Sequence, residues 1–317
     1  PTTTLVLRIT PICSSIHESA GNNKIGVLLS NLGTPDAPTK KAVKPYLRQF
    51  LSDTRVIEPP PPRWIWKIIL NAVILNLRPK KSAKAYQTVW NTHGEGSPLL
   101  SIAKLQKAEI ASLLEEKAPG QFEVALGMCY GNPSMNSALA ELESKGCKKI
   151  IVLPLYPQYA ASSTGSVFDA VAKEFLTWRN VPDLRFISSY NEEEKYIDAL
   201  ANSVKEYQKI HGKPDFLLMS YHGIPKRYFD KGDNYPCQCC KTTFRLAQKL
   251  DLKPSEYQMT FQDYLVLIKI HYKIILLFST IGLLIGLYKN FNAIPNYIST
   301  ASVVLREAKA SNLIMDL

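Results

Sequence analysis

One histidine stands where a buried strand gives way to a chain break. Phe216-Leu217-Leu218-Met219-Ser220 is a short apolar run that delivers Tyr221-His222 straight into Gly223-Ile224-Pro225. In open α/β sheets the ligand crevice lies outside the carboxyl ends of the strands. Imidazole titrates near neutrality and binds borderline transition metals through a ring nitrogen. His222 is therefore the first candidate for proton transfer or metal binding, against the plainer reading of a capped turn histidine.

Cysteine spacing offers less. Cys237-Gln238-Cys239-Cys240 holds one C-x-x-C, without the second pair that a zinc or iron–sulfur site needs. The six cysteines, at positions 13, 129, 147, 237, 239 and 240, are too sparse and irregular for a disulfide framework. A reducing, cytoplasmic setting is expected.

The elements that must position His222 show as an alternation. Apolar runs at 25–32, 122–128, 149–155, 184–188 and 216–221 predict strands. Helical patterns lie between and after them, near 39–51, 99–117, 135–146, 166–178, 192–210 and 239–250. Strands separated by helices of about 10–15 residues mean βαβ units and a parallel sheet. The fold class expected is α/β, with two parallel-sheet domains. The first spans 24–190 and the second, over 191–262, is incomplete. Ser134 offers an N-cap before Met135, and Asn191 another before Glu192-Glu193-Glu194, acids that suit the positive end of a helix dipole.

Two stretches depart from the alternation. No acidic residue occurs between Glu58 and Glu95, where Trp64, Ile65, Ile68, Ile69, Ala72, Val73 and Leu75 form an apolar surface flanked by Arg63, Lys67, Arg78, Lys80 and Lys81. Such a helix lies at a membrane surface, roofs an apolar ligand, or is an ordinary core helix with solvated ends. Peripheral membrane contact through 63–81 is one expectation. After Gln262 the alternation stops, and Ile274–Tyr288 runs fifteen residues without a charge. As a helix that is about 22 Å, short of the ~30 Å hydrocarbon core. Residues 263–317 are read as an atypical hydrophobic tail, and 1–23 as an unstructured leader or a fragment edge.

With 317 residues, 46% of them hydrophobic, the chain can bury a large core. Its net charge of +11 is dispersed, with no run of Lys and Arg longer than two. That argues against nucleic acid, which wants a concentrated stripe, and suits anionic small molecules or an anionic surface.

Four segments, taken together, resemble the ferrochelatases, the terminal enzymes of haem synthesis, over about 24–262. They are Leu29-Ser30-Asn31-Leu32-Gly33-Thr34-Pro35, Gly94-Glu95-Gly96-Ser97-Pro98-Leu99, and Tyr156-Pro157-Gln158-Tyr159 with Ser163-Thr164-Gly165-Ser166. The fourth is Ser220-Tyr221-His222-Gly223-Ile224-Pro225 followed by Lys231-Gly232-Asp233 and Tyr235-Pro236. The resemblance implies Rossmann-like, chelatase-type domains and insertion of Fe²⁺ into protoporphyrin IX. Its partners would be that porphyrin and Fe²⁺, with no further cofactor required. His222 would accept a pyrrole proton or bind Fe²⁺, and both roles stay open. Leu32, Trp90 and Tyr159 would pack on the ring, and Ser97 would contact a propionate, with Arg78 or Lys80 beside it. Ser163 and Thr164 would line the cleft or cap the helix before Val167. His93, in the glycine-rich turn, is a lesser candidate, and His17 and His271 lie outside the matching region.

Three departures from the family pattern accompany the resemblance. Cys129 stands where the family places an arginine, and Ala161 where iron–sulfur ferrochelatases place a cluster ligand, so no [2Fe–2S] cluster is expected. The family's catalytic glutamate, in a His-x-x-Thr-Leu-x-Glu pattern, has no counterpart after Gln262, where Glu307 is the lone glutamate. The alternative reading is an inactive, porphyrin-binding remnant, with or without a membrane tether in the tail.

Overall fold

The computed structural model of the protein describes residues 24–58, 62–92 and 95–262. The leader, His93 and the tail with its uncharged run lie outside them. The described residues up to Thr260 form one compact unit, and every side chain discussed below belongs to it.

Four parallel strands make the main sheet, in the order β2-β1-β3-β4. They are β1 (Ile25–Thr34), β2 (Phe122–Gly131), β3 (Lys149–Pro154) and β4 (Asp183–Phe186). Ile25 pairs with Phe122 on one side and Lys149 on the other, and Lys149 pairs with Asp183. Successive strand residues point to opposite faces, so the neighbours Leu28 and Leu29 enter different cores. Leu28, Ala125, Ile150 and Val152 pack against Leu139 and Leu142 of α5 (Met135–Ser144) and Val167 and Val171 of α6 (Ser166–Phe175). Val27, Leu29, Val124 and Leu126 pack with Ala103 of α4 (Pro98–Lys117). Each fully buried leucine contributes about 1.5–3 kcal/mol. A third cluster gathers Val43 and Leu47 of α1 (Lys40–Ser52) with Leu70, Leu75, Ala83 and Tyr130. The strand order reverses between β1 and β3, which puts the crevice outside their carboxyl ends.

Those ends of β1 and β2 cross closely. Gly33 has φ +101°, and a Cβ there would lie 1.7 Å from the Tyr130 carbonyl oxygen. Gly131 has φ +81°, and its Cβ would lie 2.4 Å from the Thr34 carbonyl. Only glycine satisfies both demands.

The basic, apolar stretch forms α2 (Arg63–Ile68), a π-helical turn (Ile69–Ile74) and α3 (Leu75–Val89). Asn71 and Asn76 return their side-chain amides to the carbonyls of Lys67 (2.8 Å) and Ala72 (2.9 Å), which keeps the widened turn hydrogen-bonded. Trp66 Nε1 donates to the Leu51 carbonyl at 3.0 Å and ties this segment to α1. Trp64 is 61% exposed and Ile68 56%.

A second, two-stranded sheet pairs β5 (Leu217–His222) with β6 (Tyr257–Gln262), a strand the sequence pattern did not flag. Met219 and the half-buried Leu217 and Tyr221 pack with Ala201 of α7 (Glu194–His211) and Leu246 and Ala247 of α9 (Tyr235–Lys249). The alternate residues Leu218, Ser220 and His222 are exposed. Along the chain, the short α8 (Lys226–Asp230) follows β5 and precedes α9. Ser134 caps α5 as expected, its hydroxyl accepting from Ser137 N at 3.1 Å. Asn191 does not cap α7: the N-cap is Glu193, and Asn191 is buried with its amide on the Gln238 carbonyl, 3.2 Å away. Among the described residues no helix is long and apolar enough to cross a membrane.

Gly33→Ala is expected to destabilise the protein by about 2–4 kcal/mol, because a methyl group has no room against backbone. Urea titration should show a lower midpoint at unchanged slope; an unshifted midpoint contradicts the packing at this crossing.

Candidate active site

Strand β5 ends at His222, and its alternation puts the imidazole on the exposed face. Tyr235, half-buried, lies with its hydroxyl against the His222 backbone. Tyr235 opens α9, and α9 is fastened to the loop after β3. Gln238 Oε1 accepts from Tyr159 N at 2.7 Å, and Gln158 Nε2 donates to Thr242 Oγ1 at 3.0 Å. The buried Asp233 carboxylate accepts from Ala161 N at 2.8 Å and from Tyr235 N at 3.1 Å. The strand that ends in His222 and the loop that bears Tyr159 are thus joined through one helix.

A cavity of about 610 Å³ is lined by Arg55, Tyr159, Asp169, Tyr228, Lys231 and Asp233, among others. Arg55 forms a forked pair with Asp169, Nε to Oδ2 at 2.5 Å and Nη2 to Oδ1 at 2.8 Å. Its guanidinium crosses Gly165 so closely that a Cβ there would meet Nη1 at 3.0 Å. Asp53 accepts from Arg55 N at 2.7 Å and from the Tyr130 hydroxyl at 2.5 Å. Cys129 packs against the cores on both sides of it. Burial pushes its thiol up to about 12, with the charges of Asp53 and Asp169 adding to the effect. Cys129 is therefore a neutral thiol beside two carboxylates, and Arg55 is the guanidinium that balances them.

Trp90 and Ser97 line a second cavity of about 410 Å³ with Pro35, Leu100 and Pro133. Ser97 precedes α4, is 5% exposed, and makes no side-chain capping bond. Trp90 meets Tyr86 edge to face at 6.3 Å.

The sequence candidates fall into separate groups. Trp90 and Ser97 share the second cavity, and Tyr159 lines the first. Leu32 is half-buried against the Tyr130 cluster. Arg78 and Lys80 are exposed on α3, and His222 lines neither cavity. Ser163 Oγ points back to the Ala160 carbonyl at 3.4 Å. Thr164 is fully buried, because Ala161–Gly165 winds as a π-turn ahead of α6; neither residue makes the capping bond expected before Val167. Among the described residues no group of three or more His, Cys, Asp or Glu is arranged to hold a metal ion, and Cys129, Cys147, Cys237, Cys239 and Cys240 are free. The sequence reading missed Arg55, Asp169 and Asp53, and quoted Tyr235 without giving it a role. Asp53-Thr54-Arg55 carries a turn signal, with Asp53 Oδ1 on the backbone two residues later; the Arg55–Asp169 pair joins residues 114 apart and leaves no local mark.

Comparison with known proteins gives a consistent result. A family model described as Ferrochelatase matches residues 24–265. The protein named Ferrochelatase from Hydrogenovibrio crunogenus is 56% identical over 247 residues, which cover 78% of this chain and 65% of the relative. Its namesake from Nitrosomonas europaea is 48% identical over 256 residues (81% and 69%). That from Thioalkalivibrio sulfidiphilus is 52% identical over 239 residues (75% and 64%). The chain thus spans less than two thirds of the length of two of these three relatives. None of these matches favours an inactive remnant.

At pH 8, iodoacetamide is expected to label the exposed Cys237 and Cys240 in the folded protein and to spare Cys129. Burial withholds the thiolate until the pH nears 12 or the protein unfolds. Peptide mass spectrometry reads this directly, and equal labelling of Cys129 and Cys237 at pH 8 overturns the assignment.

Proposed function

Because the chain belongs to the ferrochelatase family, we propose that it inserts Fe²⁺ into protoporphyrin IX to form protohaem, the last step of haem biosynthesis. The observation that carries this reading is the exposed imidazole of His222 at the carboxyl end of β5, on an element fastened to the Tyr159 loop. Insertion replaces two pyrrole N–H protons by one Fe²⁺, so each turnover releases two protons. An imidazole takes one proton at a time, so a base at the ring must pass the first to solvent before it accepts the second. Proton transfer to a positioned side chain contributes about 10²–10⁴-fold. His222 acts as that acceptor, and Fe²⁺ is the second substrate. Leu32, Trp90 and Tyr159 supply apolar and aromatic surface for the flat macrocycle. Ser97 stands at the start of α4, where a hydroxyl and helix N–H groups suit a propionate. Ala161 offers no thiol at the cluster position, which supports a chain that works without [2Fe–2S].

A second reading concerns location: a cytoplasmic protein that touches the membrane through 63–81. The exposed Trp64, Ile65, Ile68, Ile69 and Val73, with Arg63, Lys67 and Arg78 alongside, favour an anionic surface that could deliver an apolar porphyrin.

His222→Ala is expected to lower haem formation from Fe²⁺ and protoporphyrin at least 100-fold under anaerobic conditions, followed by absorbance. Porphyrin binding, followed by tryptophan quenching, should change less than about threefold. Undiminished haem formation would sink the acceptor role. Flotation with phosphatidylglycerol vesicles should fall about tenfold or more in a Trp64→Ser, Ile68→Ser double variant; flotation that ignores both substitutions rejects the membrane reading.

A further inference from the structure

We propose that Cys237 and Cys240 form a dithiol that closes reversibly to a disulfide, and that closure loosens the hold of α9 on the loop after β3. Both residues lie in the first two turns of α9, three positions apart, so they share one face of the helix. Both are exposed, with free thiols. Cys239 is turned away from solvent: it is fully buried, and burial pushes its thiol up to about 11. The three thiols thus sort into an exposed pair and one that is withheld.

An α-helix holds the Cα atoms of residues three apart at about 5 Å, inside the span of about 4.4–6.8 Å that a disulfide bridges. Their Cβ atoms stand about 5–6 Å apart, whereas a disulfide wants about 3.5–4.5 Å. Closure therefore draws this turn in by roughly 1–2 Å. The turn can yield because Cys237 sits ahead of Gln238, whose N–H makes the opening bond of the helix, to the Asn234 carbonyl at 3.1 Å. Gln238 rides on the same turn. Its Oε1 holds Tyr159 N at 2.7 Å and its carbonyl takes the Asn191 amide at 3.2 Å, so a change of winding between 237 and 240 reaches the Tyr159 loop.

The chemistry balances with a disulfide oxidant of the glutathione class. One protein thiolate attacks a sulfur of glutathione disulfide and expels a glutathione thiolate. The second protein thiolate then displaces the bound glutathione. Two protein thiols become one S–S bond, and two electrons and two protons pass to the reagent, which leaves as two glutathione thiols.

The test treats the full chain with glutathione disulfide at pH 8 and then labels the folded protein with iodoacetamide. Mass spectrometry reads the tryptic peptide 232–241, which carries all three cysteines. After oxidation this peptide should be lighter than its reduced form by two hydrogens, with no label on Cys237 or Cys240, and dithiothreitol should restore both labels. Cys237→Ser and Cys240→Ser should each stop at a single glutathione adduct on the remaining exposed thiol. Hydrogen exchange at the Tyr159 amide should quicken about three- to tenfold on oxidation, the scale of one weakened hydrogen bond, and stay unchanged in oxidant-treated Cys240→Ser. A wild-type chain left unmodified, carrying two glutathiones, or bridged through Cys239 overturns the dithiol. A closed disulfide with unaltered exchange at Tyr159 overturns its coupling to the loop.

Discussion

The placement of His222 relative to the loop after β3 depends on a seam of polar side chains along α9. Gln238, Thr242 and the buried Asp233 meet the backbone and side chains of residues 158–161, and the Asn191 amide closes on the Gln238 carbonyl. Apolar packing is roughly non-directional, so it would leave such a joint free to slide. Hydrogen bonds fix distance and angle together, and leaving one buried partner unsatisfied costs about 1–3 kcal/mol. The seam therefore sets geometry more than stability. A base that must meet a pyrrole nitrogen within hydrogen-bond reach has use for that kind of joint.

Much of the main sheet could be read from local pattern. The run Ile25–Leu32 declares a strand buried on both faces, and the helical stretches between such runs require a parallel arrangement. The place of His222 at a strand end was legible because Gly223 and Pro225 break the chain there. β6 carried a signal that went unused: Tyr257, Met259 and Phe261 alternate with Gln258, Thr260 and Gln262. The remainder had no local trace. Asn191 has the chemistry and position of a helix cap, yet a carbonyl 47 residues away claims its amide. Thr164 was read as a cap or a cleft residue, and a π-turn winds it into the core. Arg55 and Asp169, like Asp53 and Tyr130, find each other only once α1, β2 and α6 are assembled.

Electrostatics around Cys129 follow from the same assembly. Two carboxylates near a buried thiol would hold the site strongly negative were it not for Arg55, whose forked contact with Asp169 is only partly exposed. The guanidinium that faces these carboxylates comes from Arg55, just past the C-terminal end of α1, and lies in the wall of the larger cavity with Tyr159.

The π-turn between α2 and α3 sets the phase of one helix against the other. Five-residue hydrogen-bond spacing at Ile69–Ile74 inserts one residue beyond a regular helix, and each residue of an α-helix turns about 100°. The Trp64–Ile68 segment and the Arg78–Lys81 segment are therefore offset by that angle from where an unbroken helix would hold them. Asn71 and Asn76 keep the offset in place by occupying the carbonyls that a tighter winding would reclaim. Removing one residue here would swing the lysines around the axis while the tryptophans stayed put, so the segment's greasy and charged sectors are clocked by a single turn.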